Sequence, residues 1–147
     1  MIALIQRVTK AKVSIDNKIY SQIEKGYVIL LGIFDFDSQK DIDTLIKRIV
    51  NIRIMADKNN KMNLSIKETN NEILVVSQFT LCADTSKGRR PSFIHAKNPK
   101  SAEPLYIQFV EKIKEKGIKI KTGEFGTYMN VEIHNDGPVT ITLDSKK

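Results

Sequence analysis

The stretch from Glu72 to Phe93, EILVVSQFTLCADTSKGRRPSF, constrains the fold more than any other part of the chain. Ile73, Leu74, Val75 and Val76 form an unbroken aliphatic run. A strand without polar alternation has to be covered on both faces, so the run predicts a central strand with structure packed on either side. Its end changes character. Ser77, Gln78 and Thr80 place two hydroxyls and an amide there, with Phe79 among them. Lys87, Gly88, Arg89 and Arg90 follow in a polar loop, and Pro91 pushes the residue before it into an extended conformation. Two readings are open on these residues alone. One is a core strand capped by its last polar residues and followed by a solvated loop. The other is a site for an anionic ligand, with hydroxyls and an amide at its floor and cations at its rim.

At 147 residues the chain reads as one domain, 1–147, long enough to bury a core. No apolar run approaches the roughly 20 residues of a membrane span, and residues 1–8 read as a strand, not a secretory leader. Cys82 is the only cysteine, which excludes an internal disulfide and a thiolate metal cluster and points to the cytoplasm. The net charge of +7 favours anionic partners such as nucleic acid, although 17 acidic residues are interspersed among the basic ones.

Local patterns supply the cover for the central strand. Ile2–Val8 and Ala11–Ile15 alternate as two short strands expected to pair, and Asp16-Asn17 signals a turn into Lys18–Ile23. Tyr27–Phe34 is a second buried strand. Arg7 stands in the first run, either as an outward charge or as a buried donor. Ser38 and Asp41 have the spacing of a helix capping box, and Ile42, Leu45, Ile46 and Ile49 form the apolar face of the helix that follows. Ile52–Met55 predicts a short strand and Asp57–Asn63 a loop. A second helix is expected to be capped by Ser101, with Pro104 in its first turn, an apolar face of Leu105, Tyr106, Phe109, Val110 and Ile113, and a stop at Gly117. Lys112, Lys114 and Lys116 near its end complement the helix dipole and need no nucleic-acid role. Met129–His134 and Val139–Leu143 alternate as strands on either side of Asn135-Asp136-Gly137-Pro138. Locally that reads as a hairpin turn, and Gly-Pro is also a place where a cis peptide is tolerated.

Familiar catalytic signatures are missing. Lys87-Gly88 lacks the glycine spacing of a P-loop, no Gly-x-Ser-x-Gly elbow occurs, and no His, Cys, Asp or Glu cluster has metal-ligand spacing, so neither cofactor nor metal is expected. His95 lies beside the basic loop without an evident partner and reads more simply as a surface residue than as a general base.

Three segments, IQRVTKAKV, SQFTLCADTSKGRRPSF and TGEFGTYMNVEIHNDGPVT, together resemble the D-aminoacyl-tRNA deacylases, in that family's order and over essentially the whole chain. The resemblance implies an α+β fold, with antiparallel sheets curled into a barrel-like core and two packed helices, and a homodimer. It implies hydrolysis of the ester joining a D-amino acid, or a glycine mischarged on the tRNA for alanine, to the terminal adenosine of tRNA. Ser77, Gln78, Phe79 and Thr80 match the active-site signature. Gly137 and Pro138 match a Gly-cisPro gate that enters the partner subunit's site and rejects L-amino acids, and Arg7 matches the arginine that orients the gate. Phe125, Gly126 and Met129 match the segment beside the adenosine pocket. Lys87, Arg89 and Arg90 are candidates for tRNA phosphate contacts. The chain reads FGTYM where the family often has FGADM, so Thr127 and Tyr128 depart from the pattern, and Cys82 stands where an aromatic is frequent.

An aminoacyl ester is already activated, so such an enzyme has to position water and stabilise an oxyanion more than supply a strong nucleophile. Backbone N–H groups near Phe79 and Thr80, with the substrate's own 2′-hydroxyl, are expected to serve, because no His or Lys is placed to activate Thr80. The competing readings are a small structural protein whose turn and basic loop are incidental and a non-catalytic nucleic-acid binder. Six Phe, four Tyr and no Trp leave the nucleic-acid binder few stacking platforms.

Overall fold

The computed structural model describes residues 1–147. Strand β1 (Ile2–Ile15) is one continuous strand, where the sequence suggested two. Its two halves have different neighbours on one side. Ile2–Val8 pairs antiparallel with β3 (Gly26–Gly32), and Ala11–Ile15 pairs antiparallel with β2 (Lys18–Ile23). The halves therefore extend one another and do not fold back.

Helix α1 (Gln39–Asn51) follows, begun as the sequence indicates: the Ser38 N–H donates to Asp41 Oδ2 at 2.9 Å. Two short strands, β4 (Met55–Ala56) and β5 (Met62–Leu64), form a small hairpin. The expected strand at Ile52–Met55 thus begins only at its last residue, and part of the expected loop is its partner. Strand β6 (Glu72–Ser77) then enters the main sheet beside β3.

Helix α2 (Pro99–Lys114) starts two residues before the expected Ser101. Its cap is Asn98, whose Oδ1 accepts the Lys100 N–H at 3.0 Å, and Pro99 takes the first helical position, where a missing N–H costs nothing. Pro104 consequently lies inside the helix and not in its first turn. Strands β7 (Lys119–Thr122) and β8 (Asn130–Asp144) complete the chain.

The main sheet has the order β2-β1-β3-β6-β7, with β8 on the other side of β1. It is mixed, since β6 runs parallel to both β3 and β7. The sheet curls until β2 approaches β7, where Ser21 Oγ donates to the Thr122 carbonyl oxygen at 2.7 Å, and the result is a nearly closed barrel-like core. The period of two along the central strands explains why they read as continuously apolar. Tyr27, Ile29 and Leu31 of β3, with Ile73 and Val75 of β6, face a large core shared with Leu45 and Ile49 of α1 and Phe109 and Ile113 of α2. Val28, Leu74 and Val76 face a second, smaller cluster with Val8, Val13 and Ile23 inside the curl. The central strands are covered on both faces as their sequence demands.

Strand β8 corrects the hairpin expected at Asn135–Pro138. Residues 130–135 pair with one part of β1 and residues 140–144 with another, in the same antiparallel sense. Gln6 pairs with Thr140 and Val8 with Asn135, so Asp136–Val139 bulge out opposite Arg7. The turn signal is real, but a partner strand as long as β1 lets the chain resume pairing beyond it. The Gly137–Pro138 peptide is cis.

Candidate active site

The parallel placement of β6 beside β3 aims its polar end at one edge of the sheet. Ser77 pairs with Leu31, and the Gln78 N–H donates to the Leu31 carbonyl oxygen at 2.8 Å. A short 3-10 turn, Phe79–Cys82, follows at once. This end of the sheet opens into a cleft of about 820 Å³. Its floor is Leu31, Ile33 and Val76, and one wall is Ser77, Gln78, Phe79 and Phe93. The facing wall is Phe125 to Met129 with Val131, and the start of α2 supplies Asn98, Pro99 and Ala102.

Packing holds both walls. The Phe79 ring, 56% exposed, meets Phe93 edge-on with centroids 5.0 Å apart. Tyr106 of α2 is buried, donates its hydroxyl to the Val75 carbonyl oxygen at 2.9 Å, and packs against Phe125 with ring centroids 5.5 Å apart. One helix side chain therefore ties the central strand to the opposite wall. Burial pushes the Tyr106 phenol well above its usual range, so it stays a neutral donor. The sequence places Tyr106 only on the apolar face of a helix, and its hydroxyl's partner, 31 residues away, leaves no local signal.

Six of the candidate residues come together in the cleft: Ser77, Gln78, Phe79, Phe125, Gly126 and Met129. Thr80 lies just outside it, exposed, and its Oγ1 accepts a hydrogen bond from Gln78 Nε2. Lys87, Arg89 and Arg90 are exposed on a loop whose base is closed by two backbone hydrogen bonds between Asp84 and Ser92, at 2.8 and 2.9 Å. His95 is exposed and does not line the cleft. Cys82 is the buried last residue of the turn. Burial, then the Asp37 carboxylate, pushes its thiol up to about 11, which makes it a packing residue and not a nucleophile at neutral pH.

Arg7, Gly137 and Pro138 form a second constellation, away from the cleft of their own chain. Arg7 is largely buried, with its side chain 11% exposed, so it is the inward donor of the two readings. Its Nη1 donates to the Ile54 carbonyl oxygen at 2.8 Å. Its Nε lies 2.9 Å from Asp136 Oδ2, close enough for an ion pair but not aligned as a hydrogen bond. Gly137 and Pro138 are exposed at the crest of the bulge. Asn135, which sequence reasoning passed over as a turn residue, fastens the bulge through hydrogen bonds to the carbonyl oxygens of Arg7 and Val139.

The cleft contains no carboxylate and no histidine. Among its 18 lining residues only Lys97 and Tyr128 are ionisable, and Lys97 Nζ donates to the Asp35 carbonyl oxygen. No cluster of three His, Cys, Asp or Glu side chains in the chain is placed to hold a metal ion, and no helix is long and apolar enough to cross a membrane.

Residues 4–144 match the family model described as D-Tyr-tRNA(Tyr) deacylase. The chain belongs to that family. Its relatives include the D-aminoacyl-tRNA deacylase of Flavobacterium psychrophilum, 55% identical over 99% of this chain and 98% of its own. The enzyme of the same name from Fervidobacterium nodosum is 52% identical over 100% of this chain and 99% of its own. Among solved structures, the c-Myc DNA Unwinding Element Binding Protein is 40% identical with a TM-score of 0.92, covering 98% of both chains. A probable eukaryotic D-amino acid tRNA deacylase, 17% identical with a TM-score of 0.85 over 97% of this chain and 98% of its own, shares the fold of this deacylase-family chain.

Proposed function

We propose that this protein hydrolyses the ester between a D-amino acid, or glycine, and the 3′-terminal adenosine of tRNA, and so clears mischarged tRNA in the cytoplasm. The observation that carries the reading is the chemistry of the cleft. It offers an amide, a hydroxyl and backbone polar groups at the end of β6, in a mostly hydrophobic cleft that Phe125 and Met129 also line, with no carboxylate or histidine to act as a base. Such a site suits an ester that is already activated and would be poor for an amide or a phosphodiester.

The Phe79 and Thr80 N–H groups open the 3-10 turn, where no intrahelical acceptor exists, and neither donates elsewhere in the chain. In the proposed mechanism they receive the oxyanion that forms as water adds to the ester carbonyl carbon. Collapse of the tetrahedral intermediate breaks the bond to the ribose oxygen, which takes up the proton lost by the water. The neighbouring ribose hydroxyl orients the water and relays that proton. Thr80 has an amide, not a base, as its hydrogen-bond partner, which supports a non-covalent route.

Chirality is enforced by a second copy of the chain. Gly137 and Pro138 are exposed, braced by Arg7 and remote from their own cleft, so in a homodimer they would enter the partner's cleft and block the side on which an L side chain projects. Exclusion by backbone needs no favourable contact with the accepted substrate.

The test is to incubate the protein with a D-aminoacyl-tRNA and its L counterpart and follow loss of the ester. Release from the D ester alone is expected. Binding of tRNA without release from either would instead favour a nucleic-acid-binding role, to which the name of the 40% identical structure and the +7 charge would then lend weight.

A further inference from the structure

Tyr128 is 95% exposed and lines the cleft. No other large apolar side chain is left so open to water, and it makes no side-chain hydrogen bond within the chain. Its two neighbours make contacts of their own. Thr127 Oγ1 donates to Glu124 Oε2 at 2.8 Å, and Met129 packs into the cluster inside the curl. A tyrosine ring has only two rotatable side-chain bonds, so it loses little entropy when a flat partner docks on it.

The surroundings say what kind of partner fits. Phe79, 56% exposed, and Lys97 line the same cleft as Tyr128. Lys87, Arg89 and Arg90 add exposed cations on the loop that leaves the Phe79 wall. Exposed aromatic faces beside a cationic rim are the elements by which proteins hold single-stranded nucleic acid. The cleft, at about 820 Å³, lies in the upper part of the roughly 300–1,000 Å³ range of sites that take one drug-sized ligand. The 3′ end of a tRNA is unpaired, so the base preceding the terminal adenosine is free to stack.

We infer that the Tyr128 ring is a stacking platform for the base immediately upstream of the terminal adenosine. The inference rests on the deacylase reading above. It gives the enzyme a grip on the tRNA strand that is independent of the adenosine pocket and of the chirality gate. Stacking of this kind tolerates any base, so it measures the presence of an upstream nucleotide and not its identity.

The experiment compares three substrates carrying the same D-amino acid: the 3′-ester of adenosine, the ester of cytidylyl-adenosine, and the full D-aminoacyl-tRNA. Tyr128→Ala should raise KM for the dinucleotide and the tRNA by roughly fivefold or more, with little change in kcat. The ratio of kcat/KM between the dinucleotide and adenosine esters should fall by the same factor, and Tyr128→Phe should restore it. An equal loss on the adenosine ester would place Tyr128 against the terminal nucleoside or the amino acid and overturn the inference. So would unchanged kinetics on all three substrates, or a loss that disappears at high protein concentration, which would make Tyr128 a contact between copies of the chain. Failure of the wild-type protein to cleave any of the three would overturn the deacylase reading itself.

Discussion

The Asn135 side chain reaches across from β8 to donate to the Arg7 carbonyl oxygen at 2.8 Å, and the same nitrogen donates to the Val139 carbonyl oxygen at 3.0 Å. One amide therefore closes both ends of the bulge that carries Gly137 and Pro138 and fixes it to the strand that carries Arg7. Its Oδ1 in turn accepts from Thr140 Oγ1 at 3.1 Å. Asn135→Ala removes both bonds to the carbonyl oxygens and should lower stability by about 1–3 kcal/mol. Denaturant unfolding checks the stability, and the ratio of D- to L-ester hydrolysis should fall in the same variant if the bulge is the gate.

Gly137 has a φ of +114°, and a side chain there would lie 2.8 Å from Val139 Cγ2 and 3.1 Å from Arg7 Nη2. Gly137→Ala should displace the guanidinium that braces the segment while leaving the cleft of the same chain intact. Hydrolysis of an L-aminoacyl-tRNA should rise relative to the D substrate. A folded variant with full D preference would mean that the discrimination is made elsewhere.

The Thr80 hydroxyl accepts from Gln78 and touches no base. Thr80→Ala should keep kcat within about tenfold of the wild type, because each catalytic contribution assigned to this turn belongs to its backbone. Single-turnover hydrolysis measures this directly. A dead but folded Thr80→Ala variant, together with an acyl adduct trapped on the wild type, would establish covalent catalysis instead.

Lys87, Arg89 and Arg90 are exposed cations on a loop beside the cleft. If all three meet phosphates of the single-stranded end, replacing them with alanine should flatten the log–log dependence of tRNA affinity on salt by about 2. The variant and the wild type should converge at high salt. Hydrolysis of a D-aminoacyl adenosine, which has no phosphate, should be unaffected.

Stability in acid should depend on Asp41. Burial alone would raise its carboxyl, but hydrogen bonds from Lys146, Ser145 and Ser38 outweigh that and hold it well below the usual carboxylate range. A carboxyl depressed in the folded state stabilises the fold above its unfolded pKa of roughly 4. That contribution is lost as pH falls through the lower folded value. The Asp41→Asn variant should therefore be less stable at pH 7 and lose less further stability between about pH 5 and 2 than the wild type. Thermal midpoints across that range test the sign.

Where neighbouring residues make the structure, the sequence was legible. The Ser38–Asp41 cap, the apolar faces of both helices and the continuous strand at Ile73–Val76 need only backbone geometry and burial, and they fold as read. Where a partner from far along the chain decides, it was not. The Asn98 cap was missed because Ser101 and Pro104 gave an equally plausible start three residues later. The parallel pairing of β6 with β3 and β7 leaves no mark in β6, since a strand covered on both faces is apolar whichever way its neighbours run. The six residues that meet in the cleft come from two segments about 50 positions apart, and the motif resemblance, not local patterning, associated them before the fold did.

By itself the sequence determined that this chain has doubly covered central strands, two amphipathic helices and a polar, cationic exit from one of those strands. Hydrophobic periodicity and capping are short-range, and they act the same way in any tertiary context. Only the tertiary structure decided that Asn135–Pro138 is a bulge and not a turn, because β1 is long enough to pair with both flanks of it. The same pairing places Gly137 and Pro138 beside Arg7 and outside their own cleft. Arg7 is a largely buried donor and not a surface charge, because Asp136 of the bulge and the Ile54 carbonyl oxygen, both distant in sequence, meet its guanidinium.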